Sequence, residues 1–184
     1  MQGIRDATIE YLTNHLISWI PAYTVRHTWY RRVLSWYLAP NAAVLSGQSI
    51  HIGSKRRNGR RVSIGAGTVI DHDCLLYTVG GLLIGEQVYI SPGVWLLTES
   101  HDMNHPGFVE THKPIVIDDY AWVGARATIL GGVTIGRGAV VQAGALVVQD
   151  LEPNCVAGGV PSRVLGMRGL RSPAYALTYH PLFG

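Results

Sequence analysis

The chain has 184 residues, of which 47% are apolar and 15% charged, which suits one domain with a core of its own and excludes intrinsic disorder. Its 22 glycines follow no Gly-x-y period, which excludes a collagen helix, and its two cysteines, Cys74 and Cys155, lack CxxC or Cys/His finger spacing, which argues against structural zinc. The net charge of +3 is unevenly spread: residues 1–63 carry +7 and residues 64–184 carry −4.

No run approaches the ~18 uninterrupted apolar residues of a spanning helix. The N-terminus lacks the basic, apolar, small-residue order of a secretory leader. The expected compartment is the cytoplasm, with both thiols reduced. Helical spacing marks residues 4–20, through Leu12, Leu16 and Ile20, and residues 24–38, through Val25, Trp29, Val33 and Trp36. Pro21 separates the two and Pro40 ends the second. This helical segment, residues 1–40, holds three of the five Trp and four of the nine Tyr, with Arg26, Arg31 and Arg32 on its second helix. Two readings stand. The helices cap an open sheet edge, or they make peripheral contact with an anionic membrane at the inner face of the cell. Beyond them, KRRNGRR from Lys55 to Arg61 is the densest basic run. Nucleic acid, anionic lipid and nucleotide phosphates all suit such charge. No nucleic-acid-binding module accompanies it, so no nucleic-acid partner is expected.

From Ile64 the chain falls into steps of six. IGAGTV, IDHDCL and a longer step near Leu76 come first, followed by IGEQVY, ISPGVW and LLTESH. After a break the phase resumes with IDDYAW at Ile117 and runs through VGARAT, ILGGVT, IGRGAV, VQAGAL and VVQDLE. Each step opens on an aliphatic residue, and its fifth place is usually small, as at Cys74, Ala121 and Ala145. A period of six fits neither a helix nor a long alternating strand; it fits short strands joined by tight turns. Three steps close one triangular coil, and coils stack as parallel sheets about 4.8 Å apart. The twelve steps make four coils, and Val44 to Ile52 begin another. Each coil buries its inner face only against its neighbours. Cys74, at an inward fifth place, reads as core.

The break, SHDMNHPGFVETHKP from Ser100 to Pro114, holds three of the eight histidines: His101, His105 and His112. Insertions at solenoid corners often carry function. Imidazole changes charge near neutrality and can take a proton from an attacking hydroxyl or amine.

These features resemble the hexapeptide-repeat acyltransferases over about residues 41–166. The resemblance implies an all-β solenoid, a left-handed parallel β-helix, here with an N-terminal helical segment. The hand comes from the resemblance alone, because ordinary parallel crossovers are right-handed. Thr98-Glu99-Ser100-His101-Asp102 is similar to the Thr-x-Ser-His-Asp stretch of the branch that acetylates bacterial polysaccharide sugars, which implies His101 as catalytic base. Glu99, Asp102 or a backbone carbonyl would orient its ring. Asp71 and Asp73 match places where the family holds acceptor hydroxyls; solvated turn aspartates are the other reading. Trp122-Val123-Gly124-Ala125 is similar to the family's Trp-Ile-Gly-x segment. It implies Trp122 and Gly124 beside the pantetheine arm, with backbone contacts at Ala125 and Ala143; subunit packing is the alternative for Trp122. The GGVPSRV ending implies Arg163 on a CoA phosphate. Two departures stand out. Val148 and Gln149 replace a Thr-Lys pair, and the next basic residue after Arg163 is Arg168.

The expectation is therefore an acetyl-CoA-dependent O-acetyltransferase acting on a sugar, with acetyl-CoA as co-substrate and no metal. It would work as a homotrimer with sites between subunits. Residues 1–40 form the helical segment, 41–166 the β-helix with its insertion at 100–114, and 167–184 a tail without a legible motif. Three alternatives stay open: N-acetylation of a nucleotide-linked amino sugar, a γ-class carbonic anhydrase with His72, His101 and His105 on zinc, and a non-enzymatic scaffold.

Overall fold

A computed structural model of the chain describes residues 2–53 and 62–178, so the basic run Lys55–Arg61 lies outside the described residues. Helix α1 spans Gln2–His15, a short 3-10 turn Ile17–Trp19 follows, and α2 spans Tyr23–Arg32. The second helix stops six residues earlier than its periodicity predicts. Ser35 turns into the left-handed region at φ 59°, and the Trp36 N–H reaches back to the Tyr30 carbonyl at 3.0 Å.

Short strands follow. The first round of chain is β1 Tyr37–Leu38, β2 Ala43–Val44 and β3 Ser49–His51; the second is β4 Val62–Ile64, β5 Val69–Ile70 and β6 Leu75–Tyr77. The third is β7 Leu82–Ile84, β8 Tyr89–Ile90 and β9 Trp95–Leu97, after which a hairpin, β10 Glu99–His101 and β11 Glu110–His112, leaves the stack. The fourth is β12 Ile115–Ile117, β13 Trp122–Val123 and β14 Thr128–Leu130; the fifth is β15 Thr134–Ile135, β16 Val140–Val141 and β17 Leu146–Val147. Strands β18 Cys155–Gly158 and β19 Arg163–Met167 close the stack.

Consecutive strands visit three sheets in rotation. Sheet I is β1-β4-β7-β12-β15, sheet II runs β2-β5-β8-β13-β16-β18, and sheet III is β3-β6-β9-β14-β17. The pairings within these runs are parallel, and only β19 adds antiparallel, on the edge of β18. The six-residue period explains this arrangement. The aliphatic residue that opens each step, such as Ile64, Ile70, Leu76, Ile90, Val123 or Ile135, is buried, and so are the small fifth residues from Thr68 to Ala145. Burying these side chains against the next coil supplies the apolar free energy that the two- and three-residue strands lack alone.

The helices sit on the open edge of the first coil. Their inward face is only in part the apolar one that spacing predicts: Trp36 is buried, and Ile20, Trp29 and Val33 pack against the core. Leu16 and Val25 are exposed, while Asp6, Thr13, Arg26, His27 and Tyr30 are buried. The reason is the edge itself, where unpaired backbone groups need polar partners. The Val44 N–H donates to His27 Nε2 at 3.1 Å, and Arg26 Nη2 donates to the Val44 carbonyl at 3.2 Å. Asn14 bonds Ile50 both ways, each at 2.8 Å, and Glu10 Oε2 accepts the Ile52 N–H at 2.9 Å. Asn14→Ala removes two of these bonds. It should cost about 2 kcal/mol, read as a lower urea midpoint with an unchanged m value.

The tail forms a strap. After β19 it runs back along the corner between sheets I and II. Arg168 donates to the carbonyls of Tyr120 and Gly138, each at 3.1 Å, and the Tyr175 hydroxyl donates to the Tyr120 carbonyl at 3.3 Å. The Leu177 N–H then meets Gln87 Oε1 at 2.6 Å, and its side chain packs on Ala43, Leu45 and Val69 together with Tyr89. No described helix is long and apolar enough to cross a membrane.

Candidate active site

Above the first-coil turn at Ser46, the corner between sheets II and III stacks four more turns: Asp71-His72-Asp73, Ser91-Pro92-Gly93, Gly124-Ala125-Arg126 and Gln142-Ala143-Gly144. A backbone ladder joins them. The middle carbonyl of each turn accepts the third N–H of the next: His72 from Gly93 at 3.0 Å, Pro92 from Arg126 at 3.0 Å, Ala125 from Gly144 at 2.9 Å. The middle N–H takes no part, which is why a proline fits at position 92. The N–H groups of Ala125 and Ala143 therefore have no acceptor among the described residues. Gly124 makes the close stacking feasible, because a Cβ there would lie 2.5 Å from the Ala143 nitrogen. Beside this corner, Trp122 stands in register with Tyr89 and Val140 on sheet II, 47% exposed, its indole donating to Ser91 Oγ at 3.0 Å.

Asp71 and Asp73 lie lower on the same corner. Asp71 is buried: its Oδ1 accepts the His72 N–H at 2.7 Å and its Oδ2 accepts the Tyr89 hydroxyl at 2.6 Å. Lone pairs remain on both oxygens for a further donor. Asp73 is exposed, in a left-handed turn conformation at φ 59°. Sequence reasoning missed Tyr89. Its signal was the repeat register, which places Tyr89 beside Val69 on the next coil and within reach of the Asp71 turn. Burial pushes the Cys74 thiol up to about 12, as a core sulfur requires.

The hairpin leaves from the corner between sheets III and I. Thr98 anchors it: Oγ1 donates to the Tyr77 carbonyl at 2.7 Å and accepts the Gly80 N–H at 2.9 Å, while its carbonyl accepts the Lys113 N–H at 2.9 Å. In the hairpin register Glu99 faces His112, Ser100 faces Thr111 and His101 faces Glu110. His101 is exposed and stacks flat on Phe108, with ring centroids 4.5 Å apart and planes at 9°. Of the groups expected to orient that ring, Glu99 and Asp102 have other partners. Glu99 Oε2 lies 3.7 Å from His51 Nε2, and Asp102 Oδ1 accepts the Asn104 N–H at 2.9 Å. Strand alternation explains part of this: Asp102 follows His101 directly and so turns to the other side.

One chain thus gathers Asp71, Asp73, Trp122, Gly124, Ala125 and Ala143 at one corner and holds His101 at another, with sheet III between them. Arg163 is exposed at the start of β19. His72 bonds Ser46 Oγ at 3.1 Å, on a different corner from His101 and His105. Among the described residues no three His, Cys, Asp or Glu side chains come together to hold a metal.

The family model for the bacterial transferase hexapeptide (six repeats) matches residues 114–149. The galactoside O-acetyltransferase of Escherichia coli is 36% identical over 126 residues, covering 65% of this chain and 54% of that protein. The chain spans about half the length of the curated relatives it matches. Among solved structures, a hexapeptide-repeat-containing acetyltransferase from Vibrio cholerae superposes with a TM-score of 0.74 at 27% identity over 90% of each chain. A galactoside acetyltransferase in complex with coenzyme A gives 0.68 at 26% identity over 92% of this chain and 82% of that one. The repeat match identifies residues 114–149 as transferase hexapeptide repeats, and over most of its length the chain is similar to the hexapeptide-repeat acetyltransferases.

Proposed function

We propose that the protein is an acetyl-CoA-dependent acetyltransferase that acts in the cytoplasm on a hydroxyl of a sugar, in a bacterial surface polysaccharide or its precursor. In this reading the coils of residues 41–166 wind left-handed, residues 100–114 form the catalytic loop, and three copies assemble with their sites between neighbours. The exposed Ile4, Tyr11 and Trp19 of residues 1–40 are where contact with an anionic membrane would be made. One observation carries the reading: His101 and the two free N–H groups stand at different corners of one prism. A neighbouring copy can bring the first corner against the second.

His101 acts as the base. Its neutral imidazole takes the hydroxyl proton as the acceptor oxygen bonds to the thioester carbon. A backbone N–H aimed at the carbonyl oxygen stabilises the charge that develops there. The C–S bond then breaks, and the imidazolium returns its proton to the departing thiolate. Ala125 and Ala143 suit the amide carbonyls of a pantetheine arm, Trp122 walls it, and Arg163 suits a phosphate. Asp71 and Asp73 accept acceptor hydroxyls, with Tyr89 holding Asp71 in place.

Thiol release from acetyl-CoA across a panel of sugars and lipid-linked saccharides tests the proposal. Release that requires a sugar hydroxyl supports it; release with amino sugars alone overturns the acceptor assignment. Tyr89→Phe removes the bond to Asp71. It should raise KM for the acceptor about fivefold or more, leaving KM for acetyl-CoA unchanged.

A further inference from the structure

The hairpin has two faces, and they look toward opposite ends of the stack. Glu99 and His101 alternate onto one face, with Glu110 and His112 as their cross-strand partners. Glu99 approaches His51 on the first coil, so this face looks toward the N-terminal coils. Ser100 and Thr111, paired across the hairpin, occupy the other face. They overhang Leu130 and Gly131 of the fourth coil and enclose a cleft of about 400 Å3 with Leu97, Thr98, Glu99 and Lys113. Leu97 and Leu130 are in register on sheet III and form an apolar floor.

Lys113 gives this cleft its charge. A Cβ on Gly132 would lie 3.0 Å from the Lys113 Cδ, so the lysine stem lies across the glycine of the fourth coil. The next turn on that corner, one coil further, carries Val148 and Gln149. Among the described residues no carboxylate lies in ion-pair range of the Lys113 ammonium. Asp150, the acidic residue closest in that corner's sequence, is engaged, its Oδ1 accepting the Thr134 N–H at 2.7 Å.

We propose that the cleft is the second wall of the donor site and that Lys113 supplies the cation for the donor's phosphates, where Gln149 brings none. This rests on the function proposed above, in which coils four and five with Arg163 hold the donor and the Asp71 turn holds the acceptor. The hairpin then partitions the two substrates. His101 faces the acceptor side, while Ser100, Thr111 and Lys113 face the donor side. The apolar floor takes methylenes of the pantetheine arm, the two hydroxyls meet its amides, and the ammonium meets the anion beyond.

Calorimetry with coenzyme A and with pantetheine, which lacks the phosphates, tests this on the whole chain. Lys113→Met should weaken coenzyme A binding about fivefold or more and leave pantetheine binding unchanged. Lys113→Arg should restore coenzyme A binding, and the wild-type advantage should shrink as salt rises. Equal coenzyme A affinity in wild type and K113M overturns the inference while leaving the proposed function standing. Equal loss of both ligands assigns Lys113 a structural role and also overturns it. A wild-type chain that binds no coenzyme A overturns the function and the inference together.

Discussion

His101→Ala should lower acetyl transfer by about 10²–10⁴-fold, with coenzyme A binding and thermal stability unchanged. The ring is exposed and touches only Phe108 among the described aromatic rings, so its loss opens no cavity in the core. Transfer without a positioned base would have to proceed from a neutral hydroxyl, and the cost falls on kcat rather than on KM. Steady-state kinetics with saturating acceptor, alongside a melting curve, separates the two. Wild-type turnover in the variant would remove His101 from the chemistry and leave the free N–H corner without a partner. Phe108 offers a second handle. It is a loop residue at φ 43°, held in place by its N–H bond to the His105 carbonyl at 2.8 Å.

The second large effect concerns assembly. Two inactive variants, one lacking His101 and one with Gly124→Leu at the opposite corner, should regain activity when refolded together. The leucine side chain would collide with the Ala143 backbone and spoil the donor wall, whereas its hairpin stays intact. If each site uses the hairpin of one copy and the corner of the next, random mixing leaves about a quarter of the sites with both parts intact. Each variant alone stays inactive. Mixed samples with no more activity than either parent would place the complete site within one chain, which the separation of the two corners by sheet III makes hard to build. Gly124→Leu needs a check that it still assembles, and sedimentation velocity supplies it.

Much of this fold is legible in the spacing of its residues. The period of six names its inward residues one by one, because each step turns the aliphatic side chain that opens it into a narrow core; on sheet I a second one, Val62, Leu82 or Ile115, is buried two residues before it. The break at Ser100–Pro114 was legible for the same reason: a chain that leaves the period must leave the stack. Less legible was the N-terminal cap. Apolar spacing pointed to Ile20, Trp29, Val33 and Trp36, which do pack inward, and to Leu16 and Val25, which do not; the buried face also carries Arg26, His27 and Tyr30. Helical periodicity measures the fit to an apolar surface, and the end of a β-stack is a row of backbone donors and acceptors.

Local spacing along the chain is enough for three-sheet stacking, the inward core, the projecting histidine-bearing loop and the likeness of its motifs to a transferase family. Which turns share a corner emerges only from the folded stack. Asp71, Pro92, Ala125 and Ala143 are scattered over more than seventy residues, and only the coil stacking lines them up. The same holds for Tyr89 on Asp71, for the tail as a strap, and for Lys113 across Gly132. Each of these is a contact between coils or segments distant in sequence. Its geometry depends on register and corner position summed over the whole stack, and no window of six residues contains that information.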